Sequence, residues 1–173
     1  LDTPGHVDFS PEMERTLKVL DYLIIVVSAV EGIKGHTETV WKLAKELSLP
    51  VFFFINKCDR QGADAEGVIT ELKENFSENI YLYNKDLESK LEEGFVEFLA
   101  ERDEKLLNSY VNNNIDPEIF RRKMKEMIKN RILFFSASGS ALNDEGVIEF
   151  FNNLHKLTQS NYNKKKRASA RLF

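Results

Sequence analysis

A chain of 173 residues with a net charge of −4, 42% apolar and 30% charged, is long enough for one good core plus a small elaboration and has the composition of an ordinary globular protein. The acidic balance argues against binding DNA or RNA by bulk positive charge and leaves only a local RNA contact open. One cysteine, Cys58, rules out an internal disulfide and suits a reducing cytoplasm, and no apolar run approaches the roughly 20 residues of a membrane span.

Leu1-Asp2-Thr3-Pro4-Gly5-His6 reads as a strand end running into a Pro-Gly turn. Ser10-Pro11-Glu12 then reads as a helix start, with a capping hydroxyl, a proline at the first helical position and an acid in the first turn. Met13, Leu17 and Leu20 share one face of that helix. The apolar run Tyr22 to Val27 predicts a strand covered on both faces. Ser28 to Gly35 predicts a loop, and from His36 onwards Val40, Leu43, Ala44 and Leu47 form a helical stripe beside Trp41, a core residue on this reading. His36 and His155 read as ordinary surface or boundary histidines. Pro50 opens a second strand, Val51 to Ile55, followed by the polar turn Asn56-Lys57-Cys58-Asp59 and a helix near Asp64 to Phe76 with Val68, Leu72 and Phe76 in register.

Between about residues 77 and 130 glutamates and lysines dominate, and two helices are expected there. One is centred on Phe95 to Tyr110; the other runs from Asp116-Pro117 through Phe120, Met124 and Met127. Ile132 to Phe135 resumes the sheet, and Val147, Phe150, Phe151 and Leu154 make a closing helix. Alternation of strand and helix implies an α/β fold, a mostly parallel sheet with helices on both faces. The basic run Lys164-Lys165-Lys166-Arg167 has no apolar face and reads as a linker, with Ala168 to Phe173 opening a further strand.

Two stretches carry chemistry. In the first, Asp2 stands where a carboxylate at a strand end holds a magnesium ion, a hard cation that prefers oxygen ligands and keeps part of its water shell. The Pro4-Gly5 turn lets a backbone NH approach a terminal phosphate, and His6 projects where an attacking water would lie. The same tetrapeptide fits a plain surface turn. In the second, Asp59 follows a buried strand at the sheet edge where open α/β sheets bind ligands. Its carboxylate can accept hydrogen bonds from both N1–H and the exocyclic amine of guanine, a pattern adenine cannot supply. Asn56 would tie neighbouring loops, and the stem of Lys57 would cover the base.

Asp2-Thr3-Pro4-Gly5-His6 with Asp8-Phe9, followed by Asn56-Lys57-Cys58-Asp59, resembles the third and fourth motifs of the translational GTPases. Histidine after Pro-Gly, where many other GTPases carry glutamine, narrows the resemblance to that family. Gly139-Ser140-Ala141-Leu142 resembles the fifth motif, which meets the guanine carbonyl; Ser136-Ala137-Ser138 nearby is a decoy that belongs to a strand. The resemblance implies GTP or GDP and Mg2+ as ligands. It assigns Asp2 to the metal, His6 to the hydrolytic water, and Pro4, Gly5, Asn56, Lys57, Asp59, Ser140, Ala141 and Leu142 to the nucleotide.

No Gly-x-x-x-x-Gly-Lys-Ser/Thr loop occurs in the chain, and in the family that loop and the first switch lie upstream of the position of Asp2. The first residue is Leu. The expectation is therefore a P-loop GTPase-like domain at 1–160 whose N-terminal part lies elsewhere, with a helical insertion at about 77–130 and a basic linker into a following domain at 161–173. The short interval from Asp59 to Ser140, the phrase Phe53-Phe54-Ile55-Asn56-Lys57 and the run Arg102 to Leu107 are similar to the tetracycline-resistance ribosomal protection proteins. Elongation factor G, a release-factor relative and a non-hydrolysing ribosome-docking module are the alternatives. On either reading the resemblance implies a cytoplasmic monomer that meets the ribosome, its RNA included, and neither membrane nor DNA.

Overall fold

The run Val51–Ile55 is apolar at every position, and the structure buries all five side chains. The computed structural model describes residues 11–159. In chain order its elements are α1 (Pro11–Leu17), β1 (Leu23–Ser28), α2 (Gly35–Glu46), β2 (Val51–Asn56), α3 (Ala65–Asn75), β3 (Ile80–Leu82), α4 (Glu93–Ala100), α5 (Glu104–Val111), α6 (Pro117–Lys129), β4 (Phe134–Ser138) and α7 (Val147–Leu157). The strands form one sheet in the order β1-β2-β4-β3, parallel at every pairing. Register runs from Leu23 opposite Val51 to Ser28 opposite Asn56 on one side of β2, and places Phe53 opposite Ser136 on the other.

Because side chains alternate across a strand, β2 feeds two separate cores. Val51, Phe53 and Ile55 join Leu17, Trp41, Ala44, Val68 and Leu72 beneath α1, α2 and α3. Phe52 and Phe54 join Phe95, Leu99, Phe120, Met124 and Phe150 beneath α4 to α7. Each such side chain contributes about 1.5–3 kcal/mol by leaving water. Trp41 is core, as its surroundings in the sequence suggest. It stacks on Phe76 with centroids 5.0 Å apart and meets Phe134 edge-on, also at 5.0 Å.

Several expected elements differ in detail. The polar stretch 77–130 holds a strand and three helices rather than two helices alone. β3 is three residues long, too short to show alternation, yet it pairs with β4 from Ile80 opposite Phe134 to Leu82 opposite Ser136, and the buried Ser136 hydroxyl donates to the Tyr81 carbonyl at 2.7 Å. The helix foreseen from Phe95 to Tyr110 is broken at Asp103, whose carboxylate accepts from the Lys105 and Leu106 NH groups at 3.0 and 3.1 Å and so caps α5. Lys123 on α6 pairs with the same carboxylate at 2.9 Å, which fixes the break against α6.

Three further positions depart from the pattern read in the sequence. Val26 is 59% exposed, so β1 is not covered on both faces along its length: Ile24 packs on the Phe52 side while Val26 opens into a cavity. Leu20 lies beyond the end of α1. Phe151 is 54% exposed because the inward stripe of α7 is Phe150, Asn153 and Leu157. A polar residue takes one inward place there: buried Asn153 accepts from the Leu87 NH at 3.0 Å and donates to the Lys85 carbonyl at 2.8 Å, holding that segment to α7. Among the described residues no helix is long and apolar enough to cross a membrane.

Candidate functional site

β1, β2 and β4 run parallel, so their C-terminal ends share one edge, and the loops that follow them meet there. Asn56 closes β2, and Lys57 turns the chain through a left-handed backbone (φ +67°). The Asn56 side-chain oxygen accepts from the Lys57 NH at 2.7 Å and from the Ala141 NH at 2.9 Å. Two backbone bonds run beside this tie, from the Gly139 NH to the Ile55 carbonyl at 2.9 Å and from the Cys58 NH to the Gly139 carbonyl at 3.1 Å. The turn after β2 and the turn after β4 are thus joined by their own backbones and by one amide side chain.

Ser140 is buried, and its NH and carbonyl exchange bonds with Glu145 at 3.0 Å each, folding 140–145 into a closed turn. Its hydroxyl accepts from the Asn143 NH at 3.3 Å. The same hydroxyl, donating to Asp59, holds that carboxyl below its ordinary value. Asp59 itself is exposed at this edge of the sheet, beside the buried Ser140. Gly139 permits the close fit: a Cβ there would lie 2.0 Å from the Glu145 carbonyl oxygen. Gly139→Ala is expected to cost about 2 kcal/mol as the turn shifts to relieve that clash, read as a lower urea midpoint with an unchanged m-value.

Lys57 leans its ammonium toward Glu31, Nζ to Oε1 3.2 Å, at the mouth of a cavity of about 420 Å³ lined also by Val26, Ser28 and Asn56. The Cys58 thiol donates to the Ile55 carbonyl at 3.4 Å, and partial burial pushes its pKa up. Asn56, Lys57, Asp59, Ser140 and Ala141 therefore come together from two loops about 80 residues apart in the chain. The Ala141 NH is engaged by Asn56 in this arrangement, and Leu142 beside it is 81% exposed. Asp2, Pro4, Gly5 and His6 lie outside the described residues. Among the described residues no three His, Cys, Asp or Glu side chains are grouped to hold a metal ion.

Sequence reasoning passed over Glu31 and Glu71. Glu71, on α3, accepts from the Ile33 NH at 3.1 Å and so holds the loop after β1. The available signal was position: an acid next to a glycine, Glu31-Gly32, directly after a strand whose end borders the site.

A family model described as the elongation factor Tu GTP binding domain matches residues 1–160. Elongation factor G of Carsonella ruddii (strain PV) is 31% identical over 85% of this chain and 27% of its own length. Tetracycline resistance protein TetP of Clostridium perfringens is 34% identical over 81% of this chain and 22% of its own length. Elongation factor G 2 of Borreliella burgdorferi is 36% identical over 78% of this chain and 20% of its own length. The chain spans between 20% and 27% of the length of these relatives. A crystal structure from Thermus thermophilus superposes with a TM-score of 0.75 at 22% identity, covering 92% of this chain and 30% of the other.

Proposed function

The chain belongs to the family of the elongation factor Tu GTP binding domain, whose members are translational GTPases, and we propose that it forms the guanine-reading part of a cytoplasmic, ribosome-dependent enzyme that binds and hydrolyses GTP. The observation that carries this reading is the joined pair of loops at the sheet edge, with Asn56 bonded to Ala141 and Ser140 backing Asp59. In the proposed complex Asp59 accepts from N1–H and the exocyclic amine of the base. The Lys57 stem lies across the ring, and Asn56, Ser140, Ala141 and Leu142 shape the pocket around its carbonyl edge. Pro4 and Gly5 place a backbone NH on the terminal phosphate, and His6 orders the attacking water. Mg2+, held through Asp2, would supply charge neutralisation between the phosphates.

The finer reading is tetracycline resistance by ribosomal protection, favoured by the short interval between the two guanine loops and by the likeness to a tetracycline resistance protein. Elongation factor G has equal support from the relatives that carry that name. The test is GTP turnover by the full-length protein with and without ribosomes. Strong stimulation is expected, and a tetracycline-inhibited translation assay then separates protection from elongation. Tight GDP binding without stimulation would sink the enzyme reading and leave a nucleotide-binding docking module, with His6 idle.

A further inference from the structure

The turn between β1 and α2 is held more firmly than a surface connection requires. The Ser28 hydroxyl accepts from the Val30 and Glu31 NH groups, at 3.3 Å each. The Gly32 NH donates to the Ser28 carbonyl at 3.0 Å, with Gly32 at φ +64°. At one end the Ala29 NH donates to the Asn56 carbonyl at 2.7 Å, so the turn hangs from the strand that carries the guanine loop. From the other side α3 reaches it twice: the Asp64 NH donates to the Ala29 carbonyl at 2.9 Å, and the Glu71 carboxylate accepts from the Ile33 NH at 3.1 Å. A side chain at position 32 would strike Glu71, with a Cβ 2.4 Å from Oε2. What this rigid turn presents is the Glu31 carboxylate, 3.2 Å from the Lys57 ammonium and 4.0 Å from that of Lys34.

We propose that Glu31 is a positioning residue for guanine recognition: anchored by the turn that Ser28, Gly32 and Glu71 hold, it draws the Lys57 ammonium aside so that the stem lies flat where the base docks. The proposal rests on the guanine reading above. Lysine loses considerable rotamer freedom when it is fixed against a ligand. A partner that restricts the side chain beforehand reduces the ordering left for the binding step. The pair is half exposed, at 37% and 51%, so its effect is small and sensitive to salt.

The test is dissociation of a fluorescent GDP analogue from the full-length protein, with a double-mutant cycle between Glu31→Gln and Lys57→Met. Glu31→Gln is expected to speed dissociation about threefold at low salt, less as salt rises, with the melting temperature unchanged. In the Lys57→Met background the same substitution is expected to do nothing further. An equal effect in both backgrounds, or none in either, overturns the proposal while GDP binding by the unsubstituted protein stands. Failure of the unsubstituted protein to bind GDP removes the guanine reading itself, and this proposal with it.

Discussion

Asp59→Asn is expected to lower GDP affinity by about 10³-fold and to create affinity for xanthosine diphosphate. Guanine presents two donors on one edge, N1–H and the amine at C2, and a carboxylate accepts from both. An asparagine in the same place turns an NH2 toward the amine, so one contact becomes donor against donor while the base stays desolvated. Xanthine keeps N1–H and carries a carbonyl at C2. The carboxamide oxygen accepts from the first and its NH2 donates to the second. The Ser140 hydroxyl that backs Asp59 can bond a carboxamide oxygen as well, so the loop needs no rebuilding. Calorimetric titration of the full-length protein with both nucleotides reads the result, and GDP affinity within threefold of the original would show that Asp59 does not face the base. The same geometry fixes a pH dependence. Recognition needs the ionised carboxylate, and Ser140 holds its pKa below the usual value. GDP affinity should therefore be lost, as pH falls, at a lower pH than an aspartate of ordinary pKa would set.

Much of this site was legible because its two loops each follow a strand that burial makes conspicuous. Val51–Ile55 leaves little choice for Asn56 but a strand end, and the parallel alternation then places the turn after β4 beside it. The decoy Ser136-Ala137-Ser138 separates on the same physics. Ser136 spends its hydroxyl on the Tyr81 carbonyl inside the sheet, and Ser138 exchanges bonds with Asn84 at 2.8 and 2.9 Å, so neither takes part in the Asn56 tie.

What the sequence concealed were contacts between residues far apart in the chain. Nothing in a window around Asp103 distinguishes a cap from one more charged helical residue until Lys123 is seen against it. Asn153 breaks the apolar stripe of α7 because its partners, Lys85 and Leu87, arrive from the segment after β3. Glu31 is likewise an acid in a loop until the turn around it is folded.

Arg131→Met is expected to lower stability by about 3 kcal/mol, the largest loss foreseen away from the proposed guanine site. Arg131 stands in a left-handed conformation (φ +60°) between α6 and β4, and its half-buried guanidinium turns back over the end of α2. It donates to the carbonyl of Ala44, in the last turn of α2, which also accepts from the Leu49 NH at 2.9 Å, and to the carbonyl of Leu49 three residues past the helix, both at the end where a helix dipole is negative. The planar cation lies 5.2 Å from the Trp41 ring centroid and 5.3 Å from that of Phe134. Burial pushes its pKa down, but an arginine starts so high that the charge persists. Methionine replaces the aliphatic stem and the contact with the rings but returns nothing to the two carbonyls. Unfolding followed through Trp41, the single tryptophan of the chain, is expected to show a midpoint about 9 °C lower. A change of less than about 1 kcal/mol would mean that water serves the carbonyls as well as the guanidinium does. Because Arg131 precedes β4 while the proposed guanine loops lie at the opposite edge of the sheet, after the C-terminal ends of β2 and β4, the nucleotide affinity of the surviving folded protein should be unchanged. That separates the strength of this fold from the chemistry at its edge.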